Sequence, residues 1–68
     1  MEKVKLTVKQ DRLLHLIGQG LSNDEAATVL GVTPVAVRKA SKRLRELFHV
    51  DATRRLIPIA HQYDKEEQ

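Results

Sequence analysis

The chain contains no cysteine, so neither a disulfide nor a thiolate-held metal can brace it. That absence fits a reducing compartment. No apolar run approaches the roughly 20 residues that a membrane span needs. The opening residues, MEKVKLT, alternate charged and apolar side chains and hold no signal-peptide core. No stretch reads as a strand, an internal repeat or a linker, and no Gly-rich loop follows a strand pattern. His15, His49 and His61 lack metal-ligand spacing and have no carboxylate pair at helical intervals. Ser22 and Ser41 read as a helix cap and a helix-surface residue rather than as nucleophiles. The expectation is a cytoplasmic, non-enzymatic chain that needs no metal and no cofactor.

What remains is small. The 68 residues make one domain, and a chain this short buries only about 60% of its unfolded surface. Unstapled scaffolds of this size often add oligomerisation. The net charge of +3 is modest, but its distribution is uneven. From Arg38 to Arg55 there are seven basic residues against Glu46 and Asp51, while the DKEEQ end is net acidic. A basic face on a near-neutral body is the footprint of a polyanion binder, although a solvated helix face can look the same. Geometry has to decide between them.

Punctuation divides the chain into helices. Thr7 can cap a first helix, with Gln10 three residues on completing a capping box. Leu13, Leu14 and Ile17 form its buried stripe, and Gly18 and Gly20 end it. Ser22 and Glu25 form a second capping box for a short helix whose inner face is Ala26, Ala27 and Leu30. Asp24 and Glu25 suit the positive end of its dipole. Gly31 stops it. Thr33 then caps a third helix, with Pro34 at its first position, where a missing N–H costs nothing. Two helices joined by a three-residue, Gly-containing turn are the helix-turn-helix signature. Asp51 can cap a fourth helix carrying Leu56, Ile57, Ile59, Ala60 and Tyr63. Pro58 lies inside it and predicts a kink or a restart.

The domain therefore divides into a basic N-terminal arm over 1–5, a helical core over 6–63 and a disordered acidic tail over 64–68. On a wheel of about 100° per residue, Val37, Ala40, Leu44, Leu47 and Phe48 of the third helix fall in one core arc, with Ser41 at its edge. Arg38 and Lys42 lie opposite, Arg45 joins them a turn later, and Val35 and Lys39 flank them. In the major groove such a helix reads bases with its first turns and touches backbone with later ones. Arg38 forks onto guanine O6 and N7, Lys42 reaches the same acceptors, and Val35 meets a thymine methyl. Lys39 and the later Arg43 and Arg45 serve flanking or phosphate contacts. The free N–H groups near Asn23 make a phosphate seat.

The run from Leu6 to Val50 resembles the LuxR/GerE-type helix-turn-helix domain of bacterial response regulators and quorum-sensing regulators. Leu6-Thr7, Gly20 to Asn23, Glu25-Ala26-Ala27, Leu30-Gly31 and Ala36-Val37-Arg38 stand where that pattern has its Leu-Thr, GLSN, EIA, LG and TVK elements. The resemblance covers about Leu6 to Ala60. It implies an all-α, four-helix domain, winged-helix-like but without the wing. By position it places base contacts on Arg38, Lys39 and Lys42, with Val35 beside them. Phosphate contacts fall on Asn23, Thr33, Arg43, Arg45 and Lys9. It also implies homodimerisation through the fourth helix, about Ala52–Tyr63, using Leu56, Ile59, Ala60 and Tyr63. The implied protein is a stand-alone, sequence-specific regulator of double-stranded DNA, bacterial or phage, with a possible regulatory partner protein. Gln10 replaces the pattern's glutamate, and His49 replaces its glycine after helix three, which predicts a left-handed backbone there.

A second reading stands beside it. KRLRELF is similar to the end of region 4 of extracytoplasmic-function sigma factors, a related helix-turn-helix. The chain could then act as an interaction module on the transcription machinery, on an acidic protein or on a DNA-binding relative. That role requires LIPIA, residues 56–60, to be exposed.

Overall fold

Three N-terminal caps set the register of the first three helices in the computed structural model, which describes residues 4–67 and side-chain surroundings as far as Tyr63. Helix α1 spans Val8–Gly18; Thr7 Oγ1 accepts from the Gln10 N–H and the Gln10 side chain returns a bond to the Thr7 N–H. Helix α2 spans Asn23–Leu30, with the same reciprocal pair between Ser22 and Glu25. Helix α3 spans Pro34–Phe48, capped by Thr33 with Pro34 at its first position. Each cap satisfies donors that the first helical turn leaves without partners. A short 3₁₀ turn, Thr53–Arg55, leads into α4, Leu56–Glu67. The described residues are thus all-helical, with four α-helices and no strand. Residues 1–3 of the expected arm and residue 68 of the expected tail lie outside the described residues.

The helices pack most extensively as two pairs, α1 with α4 and α2 with α3, and α1 also meets α3. The core at their centre is Leu13, Leu14, Leu16, Ile17, Ala26, Ala27, Val37, Leu44, Leu56 and Ala60. Leu16 widens the α1 stripe beyond the residues expected from periodicity, because neighbours cover α1 on more than one side. Ala26 and Ala27 are buried as expected.

Two helix ends explain residues that the sequence poses as questions. Gly20 is the left-handed residue after α1, at φ 85°, and the Leu21 N–H closes back to the Leu16 carbonyl. Gly18 is still helical and serves packing instead. A Cβ placed on it would lie 2.7 Å from the Ala60 Cβ, so its bare backbone is what lets α4 approach. After α3, His49 adopts φ 57° and ψ 42°, and the Val50 N–H bonds to the Arg45 carbonyl. The left-handed backbone expected at His49 is present. Only glycine takes that conformation without a steric cost.

The fourth helix departs from expectation at both ends. Asp51 does not cap it. Its carboxylate pairs with the Arg55 Nε at 3.0 Å instead, and the 3₁₀ turn intervenes with no side-chain cap at Ala52. Because α4 starts at Leu56, Pro58 is its third residue. An N–H there would have no partner within the helix, so the proline neither breaks nor restarts it. At the other end the helix continues to Glu67 through residues expected to be disordered. Lys and Glu are good helix formers, and their propensity outweighs the unfavourable acidic end.

Candidate nucleic-acid interface

Helix α3 is held by Val37, Ser41 and Leu44, all buried, with Ala40, Leu47 and Phe48 half-buried beside them. That anchoring leaves one outward arc. Val35 is 49% exposed, and Arg38, Lys39, Lys42 and Arg43 are exposed as well. Among the described residues none of these four cations is held in an ion pair or a side-chain hydrogen bond. Glu46 is exposed one turn beyond Lys42 and forms no bridge with it. The arc therefore offers three uncommitted cations and a branched apolar side chain together, with Arg43 at its flank.

Thr33 Oγ1 accepts from the Ala36 N–H at 3.2 Å. A hydroxyl that accepts still carries its own proton, so Thr33 can cap the helix and donate to a phosphate oxygen at once. Lys9 is exposed on α1 and lines a groove together with Ala36 and Ala40 of α3, which places it beside the recognition arc. Arg12 lines the same groove and escaped the sequence reading. Its spacing of one turn from Lys9 is the signal that pointed to it.

Two of the expected backbone contacts are less exposed than Lys9, Thr33 and Arg43. Arg45 is half-buried, and its Nε is enclosed with no partner among the described residues. Asn23 is half-buried at the start of α2, next to Asp24 and Glu25. The Glu25 carboxylate accepts the Ser22 N–H at 2.9 Å. That backbone bond first, and the Ser22 hydroxyl second, hold its pKa below the ordinary value. A carboxylate kept ionised at this helix start competes with any phosphate for the positive end of the dipole.

Ser41, expected at the edge of the core arc as a helix-surface residue, is instead buried, only 2% exposed, because neighbouring helices cover that edge. Its Oγ has no hydrogen-bond partner among the described residues.

The stripe expected to form a dimer is spent inside the protomer. Leu56 and Ala60 are 0% exposed and belong to the core shared with α1. Ile59 and Tyr63 are half-buried against it. The Tyr63 ring meets Phe48 edge-on at 5.5 Å between centroids, and its hydroxyl donates to the Val4 carbonyl. His61 Nε2 lies 2.7 Å from the Gly18 carbonyl, tying α4 to the end of α1. Leu56, Ile59, Ala60 and Tyr63 do not form a free dimer face, because α1 and α3 already cover them. Within LIPIA, Leu56 and Ala60 are buried, Ile57 and Ile59 half-buried, and only Pro58 is exposed.

Comparison with protein-family models, with curated proteins and with solved structures finds no match to this chain.

Proposed function

We propose that the chain is a sequence-specific double-stranded DNA-binding transcription regulator, built as a LuxR/GerE-type helix-turn-helix with α3 in the major groove. One observation carries the reading. Val35, Arg38, Lys39 and Lys42 share the outward arc of a well-anchored helix, and among the described residues none of the three cations is held in an ion pair. Solvated helix faces of small proteins normally intersperse charges of both signs; here Glu46 stands alone against the cations.

In this reading Arg38 bonds guanine as a fork, Lys42 reaches an adjacent acceptor, and Val35 meets a thymine methyl. Lys39, Arg43, Thr33 and Lys9 touch the phosphates on either side. These contacts give affinity without sequence information. The burial of Leu56 and Ala60 and the half-burial of Ile57 and Ile59 leave little apolar surface for an interaction module acting through α4, which favours the DNA-binding reading. With that stripe consumed, the protein is a monomer in solution that reads one half-site. Pairing arises only when two copies sit on adjacent half-sites, about 10 base pairs or a multiple apart.

Selection of bound sites from a random duplex library with the purified chain tests this. The expected result is a short motif whose preference at one position relaxes in Arg38→Ala. Recovery of no motif, with binding equal on all duplexes, would overturn sequence-specific reading.

A further inference from the structure

A second surface lies to the side of the outward arc of α3 and shares only Lys9 with the proposed DNA contacts. A groove of about 310 Å³ runs between α1, the α2–α3 turn and α3. Its apolar wall includes Leu30, Val32, Ala36 and Ala40, and Lys9 and Arg12 provide its charge. No carboxylate lines it. A neighbouring cleft of about 470 Å³ between α1 and α2 shares Arg12 and Leu30 with this groove and adds Val29 and His15. The two form one continuous surface folded around Arg12 and Leu30. Val29 is 64% exposed and Val32 47%, and neither lies on the outward arc of α3. Asp11 is the single acidic residue along the combined surface.

From this we infer a docking site for an amphipathic helix of a partner protein, with carboxylates flanking its apolar anchors. The groove volume sits at the low end of the roughly 300–1,000 Å³ of small-molecule sites, and the groove shares Arg12 and Leu30 with the neighbouring cleft. A surface of this kind accepts side chains spaced along one helix face, as in helix-in-groove recognition. Lys9 and Arg12 outnumber Asp11 along this surface, which sets the sign of the partner's flanking charge. A second copy of this chain does not supply such a helix. The exposed large apolar residues are Val8, Val29, Val32 and Val35, so α1, α2 and α3 carry one each and Val32 lies in a turn. None presents the two anchors that a groove-filling helix needs.

The site shares Lys9 with the DNA-reading proposal, but Val29 and Val32 take no part in that reading, so the two can be tested separately. The probe is a synthetic helical peptide with leucines at i, i+4 and i+7 and glutamates at its flanks. It is titrated into the isotope-labelled chain and followed by amide chemical shifts. Saturable shifts are expected at Arg12, Leu30, Val32 and Ala36. The double change Val29→Ser with Val32→Ser should weaken the peptide by about tenfold while DNA affinity stays within about twofold. The same peptide with lysines for glutamates should not bind. Shifts confined to Arg38 and Lys42 would mean that the peptide merely mimics DNA, and would overturn the site. So would equal binding of the lysine peptide, no shifts at all, or concentration-dependent dimers of the chain closing over Val29 and Val32. A chain that binds the peptide but no duplex would keep this site and end the DNA proposal; the converse would do the opposite.

Discussion

Helices α3 and α4 look alike in the sequence. Each is amphipathic, each follows a turn, and each invites a role for its most conspicuous residues. Their fates in the fold differ. The apolar stripe of α3 is buried, and the cations it leaves outside remain uncommitted. In α4 the conspicuous residues are the apolar ones, and the protomer uses them itself. In a chain of 68 residues an apolar stripe identifies the inward face of a helix before it identifies a partner. A cluster of like charge is different, because the fold has no use for it.

Leu56 gives the sharpest break in this comparison. Leu56→Ala should cost about 2–5 kcal/mol, a large share of the roughly 3–10 kcal/mol that a chain this size holds. Urea unfolding measures the loss. Sedimentation of the folded protein should show the same monomer before and after; a dimer in the wild type that the change dissociates would restore α4 as an interface.

Arg38→Ala, by contrast, should leave stability within error and cost about 1–3 kcal/mol of binding, lost at one base position. Titration of matched and mismatched duplexes separates this from a phosphate contact, which would weaken all sequences alike.

Gly18→Ala tests the seam between α1 and α4 at its closest point. Crowding the Ala60 Cβ should cost about 1–3 kcal/mol, in spite of alanine's better helix propensity. An unchanged unfolding midpoint would mean that the two helices separate without penalty.

His49→Gly works in the other direction. Relieving a left-handed non-glycine residue should add about 1 kcal/mol, partly offset by the extra freedom glycine gives the unfolded chain. Thermal unfolding reads the gain, and a loss would mean that the imidazole makes contacts worth more than the backbone relief.

The smallest effect is electrostatic. Glu25 has a depressed pKa, so its contribution is present above the unfolded value of about 4.5 and is lost as pH falls through the folded one. Glu25→Gln should therefore flatten the fall of stability with acid in that window. A slope equal to wild type would show that the capping carboxylate does not titrate with folding.

Local chemistry made much of this legible. Thr7, Ser22 and Thr33 announce helix starts because the partners they satisfy lie within the next three residues, and the backbone at His49 follows from where α3 ends. The outward placement of Arg38 and Lys42 follows from periodicity alone. What stayed hidden depends on distant parts of the chain. Pro58 reads as a helix breaker until the 3₁₀ turn shifts the start of α4 to within two residues of it. Gly18 looks like a terminator, and only the arrival of Ala60 shows it to be a contact. Ser41 and Arg45 sit at the boundary of the core arc, where small displacements of neighbouring helices decide which groups are enclosed. The surface around Val32 combines three helices and has no signature in any one of them.

The hydroxyl bond from Tyr63 to the Val4 carbonyl joins residues 59 apart in the sequence, which gives the fold a mechanical polarity. Tension applied at the two ends loads that bond first and then the α1–α4 seam at Gly18 and Ala60. Through the edge-on contact of Tyr63 with Phe48 the same pull is passed to the end of α3, so the helix proposed to grip DNA is coupled to both ends of the fold.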